Sequence, residues 1–246
     1  MATPRRRGPG RPRKAPGALD RERILHAALA QIDAQGLVAF NIRDLAVALG
    51  VAPAAVYWHV PSRGALVSGA IGIALGDVAL ELPDGPWQQR LASLMRRFRD
   101  ALRRHPQLAP AVASELAHNG SFDAGLVEQV LAALVEAGFD GSALVDAYNV
   151  VIAALCGFAT LELSTAPVEA EPDWAGAVRQ QLKEVDSARH PMLAAHAGAL
   201  RNRAFLVRWS SGRQVPLTSG FEAWIEVILA GLEARRPASS RARARG

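Results

Sequence analysis

Tyr57, Trp58 and His59 form a cluster of neighbouring side chains that could bind phosphate groups. A tyrosine hydroxyl and an imidazole both donate hydrogen bonds to phosphate oxygens, and such contacts fix the register of a protein on a DNA duplex. Arg43 and Arg63 lie on either side of the cluster in the chain and could add charged donors. These residue types indicate recognition of a nucleic acid.

Two of these residues have a structural alternative. Trp58 could serve only to pack its own domain, and Arg43 could form a surface ion pair with Asp33 or Asp44. For Tyr57 and His59 we expect the DNA contact, because both side chains are good hydrogen-bond donors to phosphate.

Four short helices joined by tight turns are predicted to position the cluster. Asn41 is a suitable N-cap for the second helix, and Gly50 ends it. Pro53 suits the first turn of the third helix, which must be short because Pro61 disfavours helical geometry at the residue before it. The predicted spans are 20–36, 42–49, 53–60 and 62–83.

Residues 42–61 fit the pattern of a helix-turn-helix motif. Small Ala46 allows the two helices to cross closely, and Gly50 permits the positive φ that a tight turn often requires. The base-facing end of the second helix would be small and apolar, so it can contact thymine methyl groups but cannot form bidentate hydrogen bonds. This end comprises Ala52, Pro53, Ala54 and Ala55, and the core beneath it would comprise Leu45, Leu49, Val51 and Val56.

Beyond residue 83 the chain is predicted to continue as longer, more apolar helices. No alternating pattern is strong enough to indicate a sheet, although residues 205–209 could form a short strand or a loop. The predicted helices span 86–104, 107–118, 122–137, 140–164, 174–187, 191–203 and 219–235.

The segment "NIRDLAVALGVAPAAVYWHVPSRGAL" resembles the DNA-binding domain of the TetR (tetracycline repressor) family, and the resemblance is strong over residues 20–80. Two further segments are similar to the start and the last helix of the tetracycline repressor's regulatory domain, namely "WQQRLASLMRRFRDALRRHPQLAP" and "FEAWIEVILAGLEA". The resemblance implies an all-α fold with a helix-turn-helix domain at 19–64 and a helical ligand-binding and dimerisation domain at 65–235. It also implies a homodimeric repressor that binds a palindromic operator and is released by a small molecule.

The resemblance assigns roles to individual residues of the DNA-binding domain. Arg43 would reach a base or a phosphate, Tyr57 and His59 would contact backbone phosphates, and Arg63 would occupy the family's basic phosphate-binding position. Trp58 would wedge the recognition helix against its neighbours.

In the regulatory domain the resemblance implies that helices 140–164 and 219–235 form a four-helix bundle with the second subunit. Ala153, Ala154 and Gly157 would allow close approach, and the seam would be filled by Leu155, Phe158, Ile225, Ile228 and Leu229. Seven residues, six of them polar or aromatic, are candidates for contact with an effector: Met95, Phe98, His105, His118, Phe122, Tyr148 and Asn149. Packing within one subunit is the alternative for each seam residue, and an ordinary place in the core or at the surface is the alternative for each effector candidate.

The sequence departs from the tetracycline repressor at two ligand positions. When Trp87 and Phe98 are aligned with that protein, Val112 stands where it has a metal-liganding histidine, and Leu94 stands where it has a polar residue. We therefore expect no metal or other cofactor, and an effector more apolar than a magnesium–tetracycline complex.

The positive charge of the chain is concentrated at its two ends. Residues 1–14 hold six basic residues and residues 235–246 hold five, with no acid in either range. The remaining 17 basic and 23 acidic residues make the body between them mildly acidic. Residues 15–63 are neutral overall, so the helix-turn-helix domain alone is a poor source of the electrostatic attraction on which DNA affinity depends.

The N-terminal segment could supply the missing charge. Gly10-Arg-Pro-Arg-Lys14 resembles the core of an AT-hook, in which Arg11 and Arg13 would lie in a narrow A·T minor groove. The predicted organisation therefore adds a disordered basic arm at 1–18 and a basic tail at 236–246. A tail that only improves solubility or binds phosphate non-specifically is the open alternative for the arm.

Other classes of protein are disfavoured by what the sequence lacks. The six histidines are scattered, and no HExxH, GxSxG or phosphate-loop motif accompanies them, so we do not expect an enzyme. Neither a membrane span nor an apolar signal segment is apparent, which predicts a cytoplasmic protein without membrane partners.

Cys156 lies in an apolar run and is expected to be an inert thiol. A ligand-independent architectural DNA-binding protein remains the alternative to the repressor.

Overall fold

The structure is a computed structural model that describes residues 19–80, 82–117, 123–164 and 173–237. Within these ranges the secondary structure is helical, and no strand occurs in them. The all-α prediction is therefore confirmed. The basic arm, the extreme C-terminal tail and two candidate effector residues, His118 and Phe122, lie outside the described residues.

Four helices form the N-terminal domain, at the places that the capping residues predict. Asp20, Asn41 and Ser62 each accept a hydrogen bond from the backbone N–H three residues later, which satisfies a donor that the helix itself leaves free. The helices are α1 (Arg21–Gln35), α2 (Ile42–Leu49), α3 (Pro53–His59) and α4 (Arg63–Leu75). The fourth is shorter than predicted, because a series of turns replaces it after Leu75.

Seven further helices lie in the described part of the C-terminal domain. They are α5 (Trp87–Arg104), α6 (Ala109–Ala117), α7 (Ala124–Glu136), α8 (Gly141–Leu163), α9 (Trp174–Lys183), α10 (Pro191–Leu200) and α11 (Thr218–Arg235). A single 3₁₀ turn, Pro106–Leu108, precedes α6.

The segment between α10 and α11 is a loop and contains no strand. Asn202 has a φ of 56°, and its side-chain oxygen accepts hydrogen bonds from the backbone N–H groups of Trp209 (3.2 Å) and Ser210 (3.0 Å). An asparagine tolerates this left-handed conformation better than most residues. These bonds hold residues 202–210 in a compact loop. Residues 205–209 therefore form a loop and not the short strand that the sequence also allowed.

The two domains are joined by continuous packing. Helix α4 packs closely on α1 and also contacts α5. The close approach depends on Gly69, because a Cβ at this position would overlap the side chain of Leu25. The N-terminal helices are therefore coupled to the C-terminal domain through α4.

Helix α8 lies at the centre of the C-terminal domain, where it packs against α5, α6, α7 and α11. By length and composition it could cross a membrane, and it is the one such helix in the described ranges. It also carries the acidic residues Asp146 and Glu162, and Glu162 is fully buried in an ion pair. A helix that packs against four others and holds a buried ion pair is typical of the core of a helical domain, so α8 is interpreted as a core helix.

A buried ion pair connects three elements of the C-terminal domain. Nε and Nη2 of Arg99 on α5 each donate to the carboxylate of Glu162 on α8 at 2.7 Å. The same carboxylate accepts a hydrogen bond from the backbone N–H of Leu217 at 2.8 Å, and the Arg99 guanidinium lies over the ring of Phe221 on α11. Both charged groups are thereby compensated inside the core.

Cys156 is half-buried on α8, as the apolar sequence around it predicts. Burial raises the pKa of its thiol to about 11, so it is protonated at neutral pH. Since the thiolate is the reactive form, this cysteine is inert.

Candidate nucleic-acid interface and regulatory site

The turn between α2 and α3 has the geometry of a helix-turn-helix. Gly50 adopts φ 69° and ψ 32°, a left-handed conformation that costs glycine little. The Val51 N–H donates to the carbonyl of Ala46 at 3.0 Å, which closes the end of α2. Leu45, Ala46 and Val56 are fully buried beneath the turn, so α3 is held firmly on α2.

The outer face of α3 is open to solvent. The side chain of Trp58 is 87% exposed and that of Tyr57 is 49% exposed, while His59 is half-buried. Ala52, Pro53 and Ala54 are exposed at the N-terminal end of the helix, and Ala55 is half-buried there. The prediction that Trp58 wedges α3 against its neighbours is wrong, because the ring projects away from the core. The cluster presents an aromatic surface with two polar groups.

Arg43 on α2 is exposed and has no ion-pair partner among the described residues. Both acids that could have neutralised it are engaged elsewhere. Asp44 accepts a hydrogen bond from the amide of Asn41 at 2.8 Å, and Asp33 lies 2.7 Å from Nδ1 of His105. The guanidinium is therefore available to a ligand.

Arg63 has a different environment from the one expected. Its Nε donates to the carbonyl of Phe40 at 3.1 Å, its Nη2 donates to the carbonyl of Leu37, and the guanidinium lies 5.6 Å from the centroid of the Phe40 ring. These bonds satisfy carbonyls between α1 and α2. The guanidinium is held at this connection, but two neutral carbonyls do not neutralise its charge and the residue is exposed, so the phosphate contact stays a prediction.

An apolar groove runs along α8 and α11 of the C-terminal domain. It has a volume of about 700 Å³ and is lined by apolar and small residues, among them the exposed Val150, Leu161 and Val227. Trp224 also lines it and donates a hydrogen bond from Nε1 to the carbonyl of Ala154. The spacing of Val150, Ala153, Ala154, Gly157, Phe158 and Leu161 along α8 repeats every three or four residues, as one face of a helix requires.

Two family models match the chain. Residues 24–70 match the model for bacterial regulatory proteins of the tetR family, and residues 81–236 match the model for the tetracyclin repressor-like C-terminal domain. The second match alone covers more than half of the 246 residues. The chain belongs to the TetR family. This family is one of transcriptional regulators rather than enzymes.

Individual members of the TetR family show how far the similarity extends. An HTH-type transcriptional regulator of Saccharopolyspora erythraea is 32% identical over 122 residues, which cover 49% of this chain and 51% of that protein. The transcriptional repressor DrrR1 of Streptomyces coeruleorubidus is 27% identical over 193 residues, 75% of this chain and 71% of that protein. The chain thus matches about half the length of the first relative and more of the second.

The same fold occurs in a solved member of the TetR family. ActR from Streptomyces coelicolor, in complex with (S)-DNPA, superimposes with a TM-score of 0.68 at 23% identity. The match covers 89% of this chain and all of that chain. At this level of identity the comparison establishes the shared fold.

Four candidate effector residues of this TetR-family chain lie on α5 and α8, two helices that pack against each other. Met95 and Phe98 are buried in the core of α5, Tyr148 is half-buried and Asn149 is exposed on α8. None of them lines the groove of about 700 Å³ or the cavity of about 510 Å³ between α9 and the loop before α11. The sequence could identify aromatic and polar residues on these helices but not which side of each helix faces a cavity.

His105 is placed between the two domains of the TetR fold. Its Nδ1 lies 2.7 Å from a carboxylate oxygen of Asp33 on α1, directly before the 3₁₀ turn. Nearby, the hydroxyl of Ser68 on α4 donates to the carboxylate of Glu115 on α6. His105 therefore contributes to the junction between the DNA-binding and C-terminal domains, and its effector contact stays a prediction.

The predicted seam residues divide into two groups. Ala154, Phe158 and Ile228 line the α8–α11 groove, together with Ala153 and Gly157. Leu155 and Ile225 are buried in the subunit's own core, and Leu229 is half-buried outside the groove. Because α8 is apolar around most of its circumference, the sequence did not reveal which of its faces remains uncovered.

Proposed function

We propose that this protein is a homodimeric cytoplasmic repressor that binds a palindromic operator through α2 and α3 and is released by a small effector. The observation that carries the proposal is the outer face of α3. An aromatic side chain that is 87% exposed on a rigid helix is costly to keep in water and is suited to contact with a duplex. Arg43, unpaired among the described residues, adds a charged donor.

The chemistry of this face suggests how the operator would be recognised. Ala52, Pro53 and Ala54 offer apolar contact to thymine methyl groups, while Tyr57 and His59 can donate to phosphates. Few hydrogen bonds to base edges are available from these side chains. Sequence-dependent shape of the DNA should therefore contribute to specificity more than it does for a recognition helix rich in Arg, Asn or Gln.

We expect Trp58→Ala to weaken operator binding by about 10- to 100-fold, which corresponds to a loss of roughly 1–3 kcal/mol. The melting temperature should not change, because the side chain is exposed and supports no packing in the described structure. Mobility shift with DNA from upstream of the protein's own coding sequence measures the first quantity, and thermal unfolding measures the second.

Val135→Ala is the matched control for this experiment. Val135 is 57% exposed on α7, far from α3 in the chain, so its truncation removes exposed apolar surface without touching the proposed interface. Operator affinity of Trp58→Ala equal to that of Val135→Ala would contradict the proposed interface.

The α8–α11 groove supports the dimeric state. An exposed apolar surface of this size on a folded chain commonly marks an interface, and both helices contribute to it along their lengths. A second copy would supply the same two helices and complete a four-helix bundle with a two-fold axis. Such a dimer would present two α3 helices, as a palindromic operator requires.

Val150→Asp should convert the protein from dimer to monomer, because it places a carboxylate in the apolar seam. Val145→Asp is the control: both valines are exposed on α8, at 41% and 58%, but only Val150 lines the groove. Size-exclusion chromatography with light scattering reports the mass of each variant. A monomeric wild-type protein, or dissociation of both variants alike, would be inconsistent with the seam.

The similarity to ActR supports regulation by a small molecule, because that protein has been solved with (S)-DNPA bound. An architectural DNA-binding protein would have no use for such a ligand. A mobility shift that is relieved by an added small molecule supports the repressor over that alternative.

A further inference from the structure

A second cavity, of about 510 Å³, lies between the C-terminal end of α8, the start of α9 and the loop before α11. Three aromatic side chains line it: Trp174, Phe205 and Trp209. Its volume is in the range of small-molecule sites, roughly 300–1,000 Å³, and an aromatic lining with a few polar groups is typical of them. The rings favour a planar, apolar ligand body.

The same cavity is lined by one cation, Arg208, and by no carboxylate among the described residues. Arg208 donates from Nε to the carbonyl of Ser210 at 2.7 Å and from Nη2 to the carbonyl of Val215 at 3.3 Å. Its Nη1 is buried without a hydrogen-bond partner in the described part of the chain. Within the described ranges, two neutral carbonyls are thus the only direct hydrogen-bond partners of this half-buried positive charge.

The charge of Arg208 is poorly compensated. Burial lowers the pKa of its guanidinium, and the charge of Glu162 only partly offsets this effect. Glu162 is itself paired with Arg99, so it cannot serve as a close partner for a second arginine. No carboxylate of the described residues is a close partner of this half-buried cation, and an anion in the cavity would remove much of the cost of burying it.

The remaining walls supply polar contacts and a strained apolar rim. Ser210, Ser211 and Gln214 line the cavity and offer neutral hydrogen-bonding groups. Leu206 lines its edge with a φ of 68° and a side chain that is 98% exposed. A leucine in this conformation is under strain, and strained residues of this kind are often found where ligands are held.

We propose that this cavity is the effector site and that it binds planar aromatic acids, with the rings between Trp174, Phe205 and Trp209 and the anionic group at Arg208. This inference rests on the proposed function only in calling the ligand an effector. It adds a requirement for negative charge at Arg208 to the expectation of an effector more apolar than a magnesium–tetracycline complex.

The position of the cavity suggests how a ligand would reach the rest of the protein. Leu161 and Phe205 line both this cavity and the α8–α11 groove, and Phe205 packs edge-on against Phe158 with ring centroids 5.1 Å apart. A ligand that orders the loop would therefore act on residues at the proposed dimer seam.

Calorimetric titration of the full-length protein with naphthalene-2-carboxylate and with naphthalene-2-carboxamide tests the site. The two probes share size and planarity and differ in charge. The acid should bind with a saturable one-to-one isotherm and about tenfold or more tighter than the amide, the scale of one hydrogen bond to a charged group. Arg208→Met should abolish this preference for the acid and leave the affinity for the amide unchanged.

Arg213→Met is the matched control, because Arg213 is an exposed arginine of the same loop that does not line the cavity. It should bind both probes as the wild type does. Trp209→Ala should weaken binding of both probes equally. Arg208→Gln, which also removes the charge but keeps a polar side chain, replaces Arg208→Met if that variant does not fold. Absence of saturable binding, equal affinity for acid and amide, or equal effects at positions 208 and 213 would overturn the site.

A mobility shift with the same probes separates this inference from the proposed function. Charge-dependent binding at Arg208 with no release of DNA would leave the site intact and refute its role as the effector site. DNA binding that persists while neither probe binds would refute the site and leave the DNA-binding function standing.

Discussion

Glu162→Gln should lower the free energy of unfolding by about 3–5 kcal/mol, because it leaves the Arg99 guanidinium buried without a negative partner. Arg99 is 6% exposed and Glu162 is fully buried, so water cannot replace the lost interaction. The carboxylate also accepts the backbone N–H of Leu217 at the start of α11. The substitution therefore affects the contacts among α5, α8 and α11 together.

Urea unfolding at pH 7, at one fixed protein concentration, measures this loss. Glu222→Gln is the matched control, since Arg96 and Glu222 also join α5 to α11 but their side chains are 50% and 39% exposed. An exposed pair of this kind contributes only about 0–1 kcal/mol. Equal effects of the two substitutions would show that burial does not decide the strength of the Arg99–Glu162 pair.

A double variant separates the cost of an unpaired charge from the loss of the interaction itself. Arg99→Met combined with Glu162→Leu removes both charges and fills the space with apolar groups, so it should be more stable than Glu162→Gln alone. A double variant as unstable as the single one would mean that the hydrogen bond to Leu217 dominates.

The same pair predicts acid sensitivity. Burial by itself would raise the pKa of Glu162, but hydrogen bonds from Arg99 and Leu217, with the charges of Arg99 and Arg103, lower it below the usual 4.5. A carboxyl group whose pKa is lower in the folded protein than in the unfolded chain stabilises the fold fully at pH values above its unfolded pKa. This contribution to stability is lost as the pH falls from the unfolded pKa through the folded pKa. Wild-type stability should decline below about pH 4.5, and Glu162→Gln should lack this component.

Removal of residues 1–14 should weaken operator binding by about 100-fold at physiological salt and make its salt dependence shallower. The six basic residues of this arm would neutralise phosphates and release counterions. Each phosphate contact makes the slope of log K against log salt more negative by about 0.9, so removal of the arm makes the slope shallower. The helix-turn-helix domain is electrically neutral and cannot replace this contribution. Mobility shifts at several salt concentrations give both quantities.

A second variant tests whether the arm reads the minor groove. Arg11→Gln combined with Arg13→Gln leaves four of the six charges in place but removes the Arg-Pro-Arg core. A minor-groove arm predicts that this variant no longer prefers operators flanked by A·T pairs over those flanked by G·C pairs. Unchanged affinity and slope on removal of the whole arm would eliminate its proposed role.

Local features of the fold followed from the sequence. The N-caps at Asp20, Asn41 and Ser62 and the helix start at Pro53 depend on bonds between residues three or four apart, and so does the turn at Gly50. The helix-turn-helix domain could be predicted for this reason. The ends of α4, α9 and α10 were less predictable, because no single residue in the sequence marks where packing stops supporting them.

Pairings between distant residues were decided by the tertiary structure alone. The carbonyls that engage Arg63 lie 23 and 26 residues away, His105 meets Asp33 across 72 residues, and Arg99 meets Glu162 across 63. Each depends on how two helices approach, which local propensity does not encode.

The sequence by itself determined an all-α chain with a helix-turn-helix domain, charged ends and an apolar C-terminal domain, because periodicity, capping and composition act over a few residues. The tertiary structure decided which face of each apolar helix is buried and which is open. It exposed Trp58 to solvent, divided the predicted seam between core and groove, and placed Arg208 among three aromatic rings. The physical reason is that burial is a property of the whole packed chain, since a side chain is covered only where another element happens to meet it.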